Sequence, residues 1–167
     1  MPSVPGPEPR TGEWVLLTYR LPREPSTPRS AVWRKLRKLG VVQISDGLVA
    51  LPASARTREQ LEWLAEEVID AGGTAGIWLA HPATRAQEHR LAKTMTAARA
   101  VEYQAVIAAA ADAADEADMS ARASALRRLR NDLRAIQRRD YFPPADRDQA
   151  EAAVQALAEP LATVETA

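Results

Sequence analysis

The sequence predicts an α+β fold, a split β-α-β core over residues 14–82 followed by a helical appendage over residues 83–160. Three observations lead there. Short β-rich runs alternate with amphipathic helical stretches as far as Pro82. Two of those runs are joined by Ser45-Asp46-Gly47, a hairpin signal. After Ala83 the apolar period becomes helical and stays so.

The elements follow in order. Residues 1–13, MPSVPGPEPRTGE, hold four prolines and no apolar run, which predicts a disordered lead. Residues 14–22, WVLLTYRLP, are aromatic and apolar enough for a buried strand, ended by Pro22. Thr27 offers an N-cap with Pro28 at the first helical position, where the missing N–H would be unpaired anyway. That helix should run to Leu39 and stop at Gly40. Its core stripe is Val32, Leu36 and Leu39, with Arg34, Arg37 and Lys38 on the opposite side. Residues 41–44 and 48–52 form the hairpin. Thr57-Arg58-Glu59-Gln60 reads as a capping box opening a second helix, with Leu61, Leu64, Ala65 and Val68 inward and Gly72-Gly73 as its end. Residues 74–82, TAGIWLAHP, make the fourth strand. Strand, helix, hairpin, helix, strand is the ferredoxin-like βαββαβ plan. Beyond it come a long helix over 84–117, a break at Met119-Ser120 and a helix over 121–140. Tyr141-Phe142-Pro143-Pro144 ends that helix, and a short helix over 146–158 stops before Pro160, leaving 161–167 as a tail.

Composition narrows the function classes. The chain has no cysteine, which removes disulfides, thiolate metal sites and cysteine nucleophiles. His81 and His89 lie eight apart with no acidic cluster at ligand spacing, so no metal site is expected. No Gly-rich phosphate loop, nucleophile elbow or plausible carboxylate pair appears, and a non-enzymatic protein without a cofactor is the expectation. No secretory signal and no apolar stretch of about 20 residues is present, which predicts a cytoplasmic protein with no membrane partner.

The 22 basic and 22 acidic side chains cancel in sum but not in place. Residues 1–40 carry a net +5, residues 101–120 a net −5, and residues 121–142 a net +5. The second basic block is a helix on which Leu126, Leu129, Leu133 and Ile136 occupy one arc. Arg127, Arg130, Arg134 and Arg138 make a ridge beside it, a row of planar donor forks suited to phosphate or another oxyanion. The bland alternative is self-pairing: a helix hairpin would bring Asp112, Asp115 and Glu116 near Arg122–Arg128. In the first basic block Arg20 ends the first strand, and Arg29, Trp33, Arg34, Arg37 and Lys38 decorate the helix after it, a basic surface with no helix-turn-helix pattern.

A second constellation sits on the long helix. Leu91, Met95, Ala98 and Val106 share a face, and Arg99 and Glu102 fall inside the same arc with Tyr103 at its edge. Charges on an apolar face must pair or line a wet pocket, and at a separation of three these two can pair with each other. Tyr19 and Asp140 are grouped with them as a polar pocket or a structural ion pair.

The segments WVLLTYRLPREPSTPRSAVWRKLRKLG, VVQISDGLVALPASARTREQLEWLAEEVIDAGG, ARAVEYQAV and LRRLRNDLRAIQRRDYFP together resemble the N-terminal domain of the ChrB chromate-resistance proteins. The resemblance covers about residues 13–158, and LPREPSTPR is its most specific stretch. It implies a ferredoxin-like core similar to the middle part of PaaX-type repressors, and a role in chromate-responsive control of efflux operons. The implied partners are DNA or a small oxyanion such as chromate, a separately encoded ChrB C-terminal domain, and a second copy in a homodimer. A structural or dimerisation module is the alternative. Distant relatives among CRISPR-adaptation nucleases use an aspartate for metal at the end of their first strand, where this chain has Tyr19-Arg20; a metal-dependent nuclease is therefore only a remote alternative.

Overall fold

The structure is a computed structural model that describes residues 11–165, with side chains through residue 160. It is an α+β protein with one four-stranded antiparallel sheet and five helices among the described residues. The order is β1 (Trp14–Arg20), α1 (Thr27–Leu39), β2 (Val42–Ser45), β3 (Leu48–Pro52), α2 (Ala55–Asp70), β4 (Thr74–Ala80), α3 (Arg85–Ala114), α4 (Met119–Gln137) and α5 (Asp146–Glu165). The chain forms two compact units, residues 1–94 and 95–167.

In the first unit the strands lie in the order β2-β3-β1-β4. Val15 faces Leu51 and Leu17 faces Val49, and all four are fully buried on one sheet face. Leu36 of α1 and Leu61 and Val68 of α2 are equally buried, and α2 packs on β1 and β4. The opposite sheet face carries Leu16, Thr18 and Arg20 of β1 and, across from them, Trp78, Gly76 and Thr74 of β4.

Local chemistry explains most of the boundaries. Gly40 ends α1 in a left-handed conformation, its N–H bonded to Leu36 and Arg37 carbonyls. The cap of α2 lies earlier than Thr57: Ser54 is the N-cap, its hydroxyl accepting from the Thr57 N–H while Thr57 Oγ1 accepts from the Ser54 N–H. Thr57 is thus the third helical residue of a box whose partner is itself a hydroxyl, and it is buried. Residue 26, not Thr27, precedes α1, and it makes no side-chain cap. The lead's first ten residues lie outside the described residues. Thr11 Oγ1 donates to the Pro82 carbonyl at 2.7 Å, and the Gly12 N–H donates to the Glu88 carboxylate. Glu88, near the start of α3, lies within the first unit.

The hairpin turn is tightly specified. Gly47 has φ +71° and its carbonyl accepts from the Tyr19 N–H at 2.9 Å. A Cβ at that position would sit 2.5 Å from the Tyr19 carbonyl oxygen. Gly47→Ala is expected to cost about 1–3 kcal/mol, from left-handed strain plus displacement of β1. Urea unfolding followed by circular dichroism checks this; an unchanged midpoint would contradict the turn's role.

The second unit is built on α3, α4 and α5. Tyr103, Val106 and Ala110 of α3, Leu126, Leu129, Leu133 and Ile136 of α4, and Ala150, Val154 and Leu157 of α5 form its core. The four α4 residues are those that helical spacing assigns to one arc. α3 ends at Ala114 and α4 starts at Met119, because Asp118 caps α4 by accepting from the Ser120 N–H. The predicted stop before Pro160 is not observed, since α5 continues to Glu165 with Pro160 inside it. Proline removes one hydrogen bond but fixes φ at a helical value, so the helix can pass through it.

Candidate functional site

The α4 ridge is exposed. Arg127, Arg130, Arg134 and Arg138 all lie at the surface beside the buried leucine arc. Arg127 donates to Ser124 Oγ at 3.0 Å and Arg134 to Asn131 Oδ1, both neutral acceptors one turn back. Among the described residues no carboxylate lies within salt-bridge distance of Arg127, Arg130 or Arg134. Among the described residues no ion pair joins Asp112, Asp115 or Glu116 to Arg122, Arg127 or Arg128. The acidic segment has local work instead: Glu116 accepts from the Asp118 N–H, and Asp118 caps α4. From Arg127 to Arg134 the ridge extends about 10 Å along the helix, at about 1.5 Å per residue.

The first unit carries its own cations. Arg29, Arg34, Arg37 and Lys38 are exposed, as the spacing of α1 predicts, and Trp33 is partly exposed. Lys35, between them in sequence, is neutralised by Glu67 at 2.6 Å. Tyr19 is half-buried, and burial raises its hydroxyl above the ordinary value, with Asp46 adding to the rise and Arg29 opposing it. Tyr19 belongs to the first unit, and Arg99, Glu102, Tyr103 and Asp140 belong to the second.

The remaining four do come together. Arg99 Nε lies 3.1 Å from Glu102 Oε2, as a separation of three on a helix allows. The two atoms are not aligned for a hydrogen bond. Glu102 Oε1 accepts from Arg139 Nη2 at 2.8 Å, and Arg139 Nη1 donates back to the Ala135 carbonyl at 2.7 Å. Tyr103 is wholly buried rather than at an edge, and its hydroxyl donates to Asp140 Oδ2 at 2.7 Å. Burial, then the bond to Asp140, raises the Tyr103 hydroxyl well above the ordinary tyrosine value. Burial lowers the Arg99 guanidinium, with Glu102 opposing that effect. Of the apolar face assigned to α3, Met95 and Val106 are buried, Leu91 is half-buried and Ala98 is exposed. Arg139 is the member that sequence reasoning missed; its helical angle places it off the exposed ridge, and that angle was the available signal.

A cleft of about 300 Å³ between α3 and α4 is lined by Ala105, Val106, Ala109, Leu129 and Ile136, with Glu102 and Arg139 at one end. The Glu102 carboxylate already occupies the space between two guanidinium groups, so this cluster offers an incoming oxyanion little free donor capacity. The exposed ridge offers more.

Among the described residues no group of three or more histidine and carboxylate side chains could hold a metal ion. His81 Nδ1 lies 3.0 Å from the Thr11 carbonyl oxygen, a contact within the first unit. No helix among the described residues is long and apolar enough to cross a membrane.

No solved structure matches this chain. The chain is similar to Protein ChrB of Cupriavidus metallidurans (strain ATCC 43123 / DSM 2839 / NBRC 102507 / CH34), 26% identical over 131 residues. That match covers 78% of this chain and 40% of the relative, so this chain spans well under two thirds of it. The model of the family described as "Protein ChrB, N-terminal" matches residues 29–165, which take in most of α1, the hairpin, α2, β4 and helices α3–α5 with the arginine ridge and the ion cluster; the chain belongs to the ChrB N-terminal family.

Proposed function

We propose that this protein is a non-enzymatic regulatory module of chromate resistance that binds DNA phosphates through the arginine ridge of α4. One observation carries the reading: Arg127, Arg130 and Arg134 stand exposed in a row with no carboxylate of the described residues in salt-bridge range. Guanidinium groups left uncompensated on one helix face suit a polyanion, whose condensed counterions are released on binding. The exposed cations of α1 supply a second basic surface of the same kind. The strand order β2-β3-β1-β4, with α1 and α2 as the two connections, supports a ferredoxin-like core as the scaffold. A ChrB C-terminal domain is a further proposed partner, and it would be where an effector acts.

The test is an electrophoretic mobility shift with duplex DNA from the protein's own operon promoter, over a range of salt. Binding at low salt that weakens steeply as salt rises is the expected result. Arg130→Ala should make the slope of log K against log[salt] shallower by about 0.9, and weaken all sequences alike. Absence of any binding at low salt would overturn the proposal.

A further inference from the structure

Trp78 is the large exposed side chain that the fold holds in place. It lies on β4 opposite Leu16, on the sheet face away from buried Val15 and Leu17, and 58% of it is open. Its Nε1–H donates to Thr18 Oγ1 at 2.9 Å, and the Thr18 hydroxyl in turn donates to the Gly76 carbonyl at 3.3 Å. Thr18 and Gly76 are direct cross-strand partners, so the indole leans along β4 over residue 76. A Cβ on Gly76 would lie 3.2 Å from Trp78 Nε1 and 3.1 Å from Thr18 Oγ1. Threonine and glycine together therefore fix the plane of an aromatic ring that the core does not use. Trp63 is similarly exposed, at 65%.

The next row of the same face holds Arg20 opposite Thr74. Arg20 is exposed, and among the described residues no carboxylate lies within salt-bridge distance of it. Thr18, Arg20, Thr74, Gly76 and Trp78 line one open depression of about 400 Å³ at this end of the sheet. A preset π-face beside an uncompensated guanidinium fits a planar base with a phosphate attached.

We propose that Trp78 is a stacking platform for a base of single-stranded nucleic acid, with Arg20 engaging the adjoining phosphate. Stacking on an aromatic side chain tolerates any base, so the surface reads strandedness and not sequence. It is distinct from the α4 ridge and does not depend on it. Bases of an intact duplex are already stacked on each other and are not offered to such a ring.

Titration with a single-stranded oligothymidine dodecamer tests this by two readouts, tryptophan fluorescence and anisotropy of a labelled strand. The wild-type protein should bind with quenching, and a duplex of equal length should not quench. Trp78→Ala should weaken the single strand about tenfold or more. Trp78→Phe keeps a stacking ring, so it should retain most of the affinity while losing most of the quench. Thr18→Val, which frees the indole, should weaken binding several-fold, and Arg20→Ala should flatten its salt dependence. Combined replacement of Arg127, Arg130 and Arg134 by alanine should leave the quench in place. Equal affinity of Trp78→Ala and wild type, a quench that survives in Trp78→Phe, or binding of free thymidine monophosphate but not the strand would each overturn the proposal.

Discussion

Replacing Glu102 with alanine is expected to destabilise the second unit by roughly 2–4 kcal/mol, toward the low side of the cost of breaking a buried pair because Glu102 is partly exposed. The carboxylate touches two guanidinium groups, Arg99 at 3.1 Å and Arg139 at 2.8 Å. Both are largely buried, with 11% and 19% of their side chains open. Removing the anion leaves two like charges facing each other in a poorly solvated setting. Arginine cannot escape by losing its proton. Glu102→Gln should recover part of the loss, since it keeps an acceptor for Arg139 but not the charge. Replacing Arg99, Glu102 and Arg139 together by leucine or methionine should come closer to wild type than Glu102→Ala alone, because no ion is then stranded. Denaturant unfolding of the variants checks the order. If Glu102→Ala unfolds at the wild-type midpoint, the cluster is not structural and its charges are free for a ligand.

Tyr103→Phe should cost about 1–3 kcal/mol at neutral pH, by deleting the hydroxyl that donates to Asp140 at 2.7 Å. Asp140 has already one buried oxygen, Oδ1, without a hydrogen-bond partner among the described residues, so the loss leaves the carboxylate poorly satisfied. The variant should also change the response to alkali. Folding holds the Tyr103 proton more tightly than the unfolded chain does, whose value lies near 10.0. That stabilisation is complete below pH 10 and is lost as pH rises through the raised folded value, where the folded state retains a proton the unfolded state has released. Wild type should therefore lose stability more steeply above pH 10 than Tyr103→Phe. Unfolding midpoints from pH 8 to 11 measure this, and parallel curves would show that Tyr103 is not the group responsible.

The elements were legible where period and punctuation agree. Trp14 to Arg20, the Asp46-Gly47 turn and the four inward residues of α2 follow from alternation, turn chemistry and helical spacing, and the structure has them there. Boundaries set by side-chain caps were less legible. Ser54 and Thr57 are both competent caps, and only the path of the backbone after Pro52 decides between them. The Arg99–Glu102 pair was readable from its spacing of three, because both partners lie on one helix. The helical angle of Arg139 sets it apart from the ridge, but its partner lies 37 residues away in sequence, and no periodicity identifies that partner. The same limit applies to Trp78, whose cross-strand bond to Thr18 depends on the β1–β4 register.

The ridge on α4 is where sequence pattern and structure carry the functional account furthest. Pattern alone left Arg127–Arg134 either self-paired or free; the described ion pairs leave Arg127, Arg130 and Arg134 without a carboxylate. The most direct test is the salt dependence of duplex-promoter binding for wild type and for the Arg127→Ala, Arg130→Ala, Arg134→Ala triple variant. The account predicts binding whose log–log slope is shallower by about 2.7 in the triple variant, three phosphate contacts at about 0.9 each, with the fold unchanged by circular dichroism. Equal slopes for the two proteins would contradict it.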